Sequence, residues 1–150
     1  MKYVIGFIFI WISAACCGQK TEFKSAISVE FLGLGFGFSG NYDFMFGHSE
    51  KGFFDARVGA GYFPGGSFVS SAATIPHAIM YNFGGNRKFL EVGIGGTYFS
   101  GGDKGYLLAP AIVGYRSITQ SGFQFRIYSQ LLDNGSKILL FGGLGIGKAF

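Results

Sequence analysis

From residue 36 onward the chain alternates apolar residues with polar or small ones over long stretches. Phe36, Phe38, Gly40, Tyr42, Phe44 and Phe46 hold one parity, with Gly37, Ser39, Asn41, Asp43 and Met45 on the other. The same pattern sets Phe54, Ala56, Val58, Ala60 and Tyr62 against Asp55, Arg57, Gly59 and Gly61. It sets Leu90, Val92, Ile94, Gly96 and Tyr98 against Phe89, Glu91, Gly93, Gly95 and Thr97. It returns as Phe123, Phe125, Ile127, Ser129 and Leu131 against Gln124, Arg126, Tyr128 and Gln130. A period of two belongs to the β-strand, whose successive side chains point to opposite faces. In all four segments the apolar parity carries no charge, and the other carries Asp43, Asp55, Arg57, Glu91 and Arg126.

Four weaker segments, residues 26–33, 74–83, 106–116 and 138–150, complete a set of eight. In the first, Ile27, Val29 and Phe31 oppose Ser28 and Glu30, and the parity flips near Leu32 and Gly33, which predicts a tight turn or bulge. In 74–83 the apolar parity is Ile75, His77, Ile79, Tyr81 and Phe83, and Pro76 is placed at the strand start, where a missing donor is tolerated. The connections are short and rich in turn residues: Gly47–Gly52, Gly84–Arg87 and Ser117–Gly122 at one end, Pro64–Ala73, Ser100–Gly105 and Asp133–Ser136 at the other. The expectation is an all-β, eight-stranded antiparallel up-and-down barrel. A wall facing lipid reads apolar outward and polar or small inward, which predicts a transmembrane barrel. Tyr62 and Tyr98 then end the upward strands, while Phe46, Tyr81, Tyr115 and Phe150 end the downward ones, as two interfacial aromatic girdles.

Composition narrows the choice. Only 13% of the 150 residues are charged, whereas a soluble surface uses about 25–35%. No apolar run after residue 19 reaches the roughly 20 residues a spanning helix needs, and 27 Gly with 19 Phe favour a barrel over a helix bundle. The net charge of +4 comes largely from isolated lysines and arginines, so no nucleic-acid partner is expected.

Lys2, the apolar stretch Tyr3–Ile12 and the small residues Ser13, Ala14 and Ala15 follow the order of a secretory signal peptide. The domain reading is therefore a signal peptide over 1–18 and a barrel over 19–150. Cleavage after Gly18 removes Cys16 and Cys17; the alternative, lipidation of Cys16, meets Ser13 where an aliphatic residue is wanted.

The pattern resembles the small eight-stranded outer-membrane barrels of diderm bacteria, through Asn41-Tyr42-Asp43, Gly59-Ala60-Gly61-Tyr62-Phe63-Pro64, Leu90-Glu91-Val92-Gly93, Gly114-Tyr115-Arg116 and Phe150. The resemblance covers nearly all of residues 26–150. It implies the bacterial outer membrane as location, with outer-membrane lipids and the barrel-assembly machinery as partners; a monomer is the expected state, and the sequence carries no signal for oligomerisation. It brings no assigned activity. Phe150 on an alternating last strand also looks like the signal by which the barrel-assembly machinery recognises its clients, but Lys148 departs from that pattern, standing two before the end where an apolar residue is usual.

An eight-stranded barrel is about wide enough to be filled by its own side chains. The inward parity offers Glu30, Asp43, Asp55 and Glu91 against Arg57, Arg116 and Arg126, which must pair because an isolated buried charge costs several kcal/mol. These seven are expected to form a lumen ion-pair network, the alternative being a narrow channel or a small hydrophobic-ligand site. Catalysis and cofactors are not expected. His48 is placed in a turn, and His77 on the outward parity lacks an orienting acid for Ser67, Ser70 or Ser71, since Asp103 and Asp133 belong to other loops. Gly142–Lys148 looks like a phosphate loop, but no helix follows it. The function expected is structural, envelope-integrity or surface interaction. The rival fold is a soluble lipid-carrying barrel, which would turn the Phe-rich parity inward.

Overall fold

The computed structural model describes residues 23–65, 70–100, 106–133 and 137–150. Its strands are β1 (Ser25–Leu32), β2 (Gly37–Ser49), β3 (Gly52–Phe63), β4 (Ala72–Gly85), β5 (Lys88–Ser100), β6 (Tyr106–Leu108), β7 (Ala111–Ile118), β8 (Phe123–Asp133) and β9 (Ile138–Ala149). Each pairs antiparallel with its sequence neighbour, except that β6 and β7 both pair with β5 and together form one stave broken at Ala109 and Pro110. Pairing of β1 with β9 closes the ring, giving an eight-staved antiparallel barrel. Closure leaves no long sheet edge to solvate.

The two parities divide as inside and outside. Asp43, Asp55, Asn82, Glu91, Thr97, Arg116, Gln124, Arg126 and Gln130 are all 0% exposed, whereas Ile94 is 71%, Phe38 61% and Val29 60% exposed. The Phe-rich parity therefore forms the outer wall and the charged parity fills the interior. A soluble lipid carrier would require the reverse.

The described residues begin and end, at Phe23 and Phe150, at the same end of the barrel as the two-residue turns. Asn86 and Arg87 both adopt positive φ, the backbone twist that suits a tight hairpin between right-twisted strands. At this end Phe46, Tyr81, Tyr115 and Phe150 lie on the outer wall; Tyr62 and Tyr98 lie on it near the other end. Ring contacts join Phe44, Phe46, Phe54, Tyr81 and Phe83 into a continuous aromatic belt, with centroids 4.4–5.9 Å apart.

Several local expectations need correction. Phe36 is not an outward residue of β2: its φ of +58° places it in the β1–β2 turn, half-buried, with its ring 5.4 Å from Phe99 and 5.3 Å from Phe141. Pro76 does not start β4, which begins four residues earlier at Ala72. The β3–β4 ladder lapses beside it, between Val58↔His77 and Gly61↔Thr74, and resumes in the same register, so the missing donor costs a gap and not a strand end. His48 belongs to the last residues of β2, with its ring stacked 5.3 Å from Phe53. The segment 106–116 is two strands. The proposed signal peptide and Cys16 lie outside the described residues, as do Ser67, Asp103 and the loop tips at 101–105 and 134–136.

Candidate functional site

The interior is layered. At the terminal end Ala26, Met45, Phe53, Phe89, Ile118 and Ala149 form an apolar plug. Towards the other end Leu34, Ala78, Met80, Ile112 and Tyr128 form a second. The charged residues lie between them, and burying them is tolerable only with near-complete pairing.

The seven residues of the expected network are brought together. Register sets Asp43 directly opposite Arg57, so that pair is local to the β2–β3 hairpin: Arg57 Nε donates to Asp43 Oδ1 at 2.6 Å and Nη2 to Oδ2 at 3.1 Å. Arg57 Nη1 also donates to Glu30 Oε1 on β1. Across β7 and β8 the register instead sets Arg116 opposite Arg126, a like-charge pairing that is unfavourable by itself. Both reach across the lumen to the same oxygen, Asp43 Oδ2, at 2.8 and 3.2 Å. Asp43 is thus the hub of the layer. Arg126 also grips Glu91 bidentately, Nε to Oε2 at 2.9 Å and Nη2 to Oε1 at 2.6 Å, the geometry in which guanidinium–carboxylate pairs are strongest. Arg116 donates to Asp55 Oδ2 at 2.5 Å and to Gln124 Oε1 at 2.6 and 2.9 Å, and its guanidinium lies over the Phe53 ring of the apolar plug.

Four carboxylates face three guanidiniums, and all seven side chains are 0% exposed. The carboxylates are not equivalent. Asp43 accepts four N–H bonds, whereas Asp55 Oδ1 receives none among the described residues.

Two features of the interior were not anticipated. Tyr128 donates to Glu30 Oε2 at 2.8 Å and accepts from the backbone N–H of Leu34 at 2.8 Å, so it ties the network to the β1–β2 turn. Its place on the inward parity of β8, between Arg126 and Gln130, was a signal in the sequence. Leu34 gave no such signal. The turn folds into the barrel mouth, where Thr97 Oγ1 donates to Leu34 O at 2.5 Å and Thr74 Oγ1 to Gly35 O at 3.3 Å. Gly33, at φ +49°, allows this entry, and Gly143 gives it room: a Cβ on Gly143 would stand 2.5 Å from Gly33 Cα.

The remaining candidates stay apart. His77 is exposed on the outer wall, its Nδ1 3.3 Å from the carbonyl of Ile75, while Ser70 and Ser71 are exposed in the preceding connection. Gly142–Lys148 is part of β9, and its inward glycines 143, 145 and 147 pack against Gly33, Glu30 and Ser28 of the β1 side. Comparison with protein-family models, curated proteins and solved structures gives no match to this chain.

Proposed function

We propose that the chain is an integral outer-membrane β-barrel with a structural, envelope-integrity or surface-interaction role and no catalytic one. The observation that carries this reading is the inversion of the fold: a fully buried charged layer inside an outer wall of exposed Phe, Ile, Leu, Val and Tyr. In water such a wall would leave an apolar patch encircling the molecule, far beyond the few hundred Å² soluble monomers expose. In a bilayer it satisfies both media, because closure leaves no unpaired strand edge facing hydrocarbon. Residues 1–18 act as the export signal in this reading, and the barrel-assembly machinery inserts the product.

Between a sealed and a conducting lumen, the geometry favours the sealed one. The charged layer is cross-braced by seven close ion pairs and flanked by apolar plugs on both sides. Expression of the full chain in a diderm host tests the reading. The protein is expected to fractionate with outer membranes, to migrate differently on gels before and after boiling, and to leave planar bilayers sealed. A detergent-free monomer in the periplasmic fraction would overturn the membrane assignment, and discrete conductance steps would overturn the plugged lumen.

A further inference from the structure

The charges outside the lumen are unevenly divided between the two ends. At the end that carries Phe23 and Phe150 stand Lys24, Lys51, Arg87, Lys88 and Lys148, with Glu50 the one acidic side chain there among the described residues. They encircle the barrel: Lys24 precedes β1, Lys51 sits in the β2–β3 turn, Arg87 and Lys88 at the β4–β5 turn, and Lys148 near the end of β9. The described residues of the opposite end carry Asp133 and Lys137, one of each sign. The lumen itself holds one carboxylate in excess, so the positive net charge of the described residues resides entirely in this one rim.

Three of the basic residues neighbour the aromatic belt in sequence or register. Lys51 is three residues from Phe54, Lys88 is two from Leu90, the cross-strand partner of Phe83, and Ser25, next to Lys24, pairs with Phe44. Two of the bases are fixed by backbone carbonyls of the β7–β8 connection: Arg87 Nη1 donates to Thr119 O at 3.2 Å and Lys148 Nζ to Ser121 O. Lys148 starts on the outward parity of β9, so its amine bends away from the apolar wall towards the rim, as lysines do at a membrane boundary. We infer that this rim is a binding surface for anionic phospholipid headgroups, with the phosphates held by the basic ring and the upper acyl segments lying on the aromatic belt. The inference rests on the membrane reading above and deepens it by naming the lipid and the leaflet: the one on the side of Phe150.

The test uses the full-length barrel as wild type and as the combined variant Lys24→Gln, Lys51→Gln, Lys88→Gln, whose sites are all exposed. Insertion into pure phosphatidylcholine vesicles, scored by heat-modifiable migration, is read first; failure of the wild type to insert would sink the membrane reading and this inference with it. Barrels in non-ionic detergent are then offered equal phosphatidylglycerol and phosphatidylcholine, and native mass spectrometry counts the lipids retained. The wild type is expected to prefer phosphatidylglycerol at low salt, with the preference falling about fivefold per lysine removed and fading as salt is raised. A barrel that inserts but retains both lipids equally overturns the inference, as does a triple variant that is folded and keeps the wild-type preference.

Discussion

Asp43→Asn and Asp55→Asn remove the same unit of charge from the same buried layer, and each leaves three carboxylates facing three guanidiniums. Charge counting therefore predicts equal effects, and the geometry predicts unequal ones. Asp43 accepts from Arg57, Arg116 and Arg126, which come from three different strands. An asparagine there keeps one acceptor oxygen and turns an amide donor towards a guanidinium, leaving at least one arginine short of a partner. Breaking a buried ion pair from one side costs about 3–5 kcal/mol, and that is the expected loss for Asp43→Asn. Among the described residues Asp55 accepts from Arg116 alone, through Oδ2, so an asparagine oxygen can keep that bond while the surplus negative charge disappears. Its expected cost is under about 1 kcal/mol, within the range of a single neutral hydrogen-bond change. Urea unfolding of both variants in the same lipid vesicles, followed by far-ultraviolet circular dichroism at one pH, measures the difference. Equal destabilisation by the two, or an Asp43→Asn barrel as stable as the parent, would refute the hub assignment.

Two further outcomes follow from the wall and the plug. Ile94, the most exposed large hydrophobic residue of β5 and near its middle, should cost about 2–4 kcal/mol when replaced by lysine if it faces hydrocarbon; a change within about 0.5 kcal/mol, as at an ordinary wetted surface, would contradict a lipid-facing wall. Tyr128→Phe removes the acceptor of the Leu34 amide and a donor to Glu30, at an expected cost of about 1–3 kcal/mol. Hydrogen exchange at the Leu34 amide should accelerate selectively, and unchanged protection there would show that the turn is held by other contacts.

Much of the barrel was legible because lipid-type alternation is written locally: each strand declares its two faces without knowing its neighbours. The lumen charges were found the same way, since Asp43, Asp55, Arg57, Glu91 and Arg126 interrupt an otherwise small or neutral parity. Their partnerships were not legible. Parity says that Arg116 and Arg126 point inward, but only register sets them opposite each other and shows that a carboxylate more than 70 residues away must separate them. Tyr128 was missed because an aromatic residue on an inward parity reads as filler until its hydroxyl has partners. Leu34 and Phe36 were beyond reach, since a turn that folds into a barrel mouth breaks the alternation by which faces are assigned. Pro76 misled for the opposite reason: the local rule that puts a proline at the start of a strand is relaxed where neighbouring pairs on both sides hold the register.

The hub at Asp43 also bears on the order of assembly. Its bonds to Arg57 close a loop of 14 residues, whereas those to Arg116 and Arg126 span 73 and 83. Local hairpins form before distant ones are brought together, because the chain entropy of long loops must be overcome first. The β2–β3 pair can therefore form early, while Arg116 and Arg126 reach Asp43 only as the ring closes, Arg126 having Glu91, 35 residues away, as its nearer carboxylate. By loop length the two cross-lumen bonds to Asp43, and not the pairing of Arg126 with Glu91, are expected among the last contacts to form. Substitutions at the hub then quicken the opening of the barrel far more than they slow its formation.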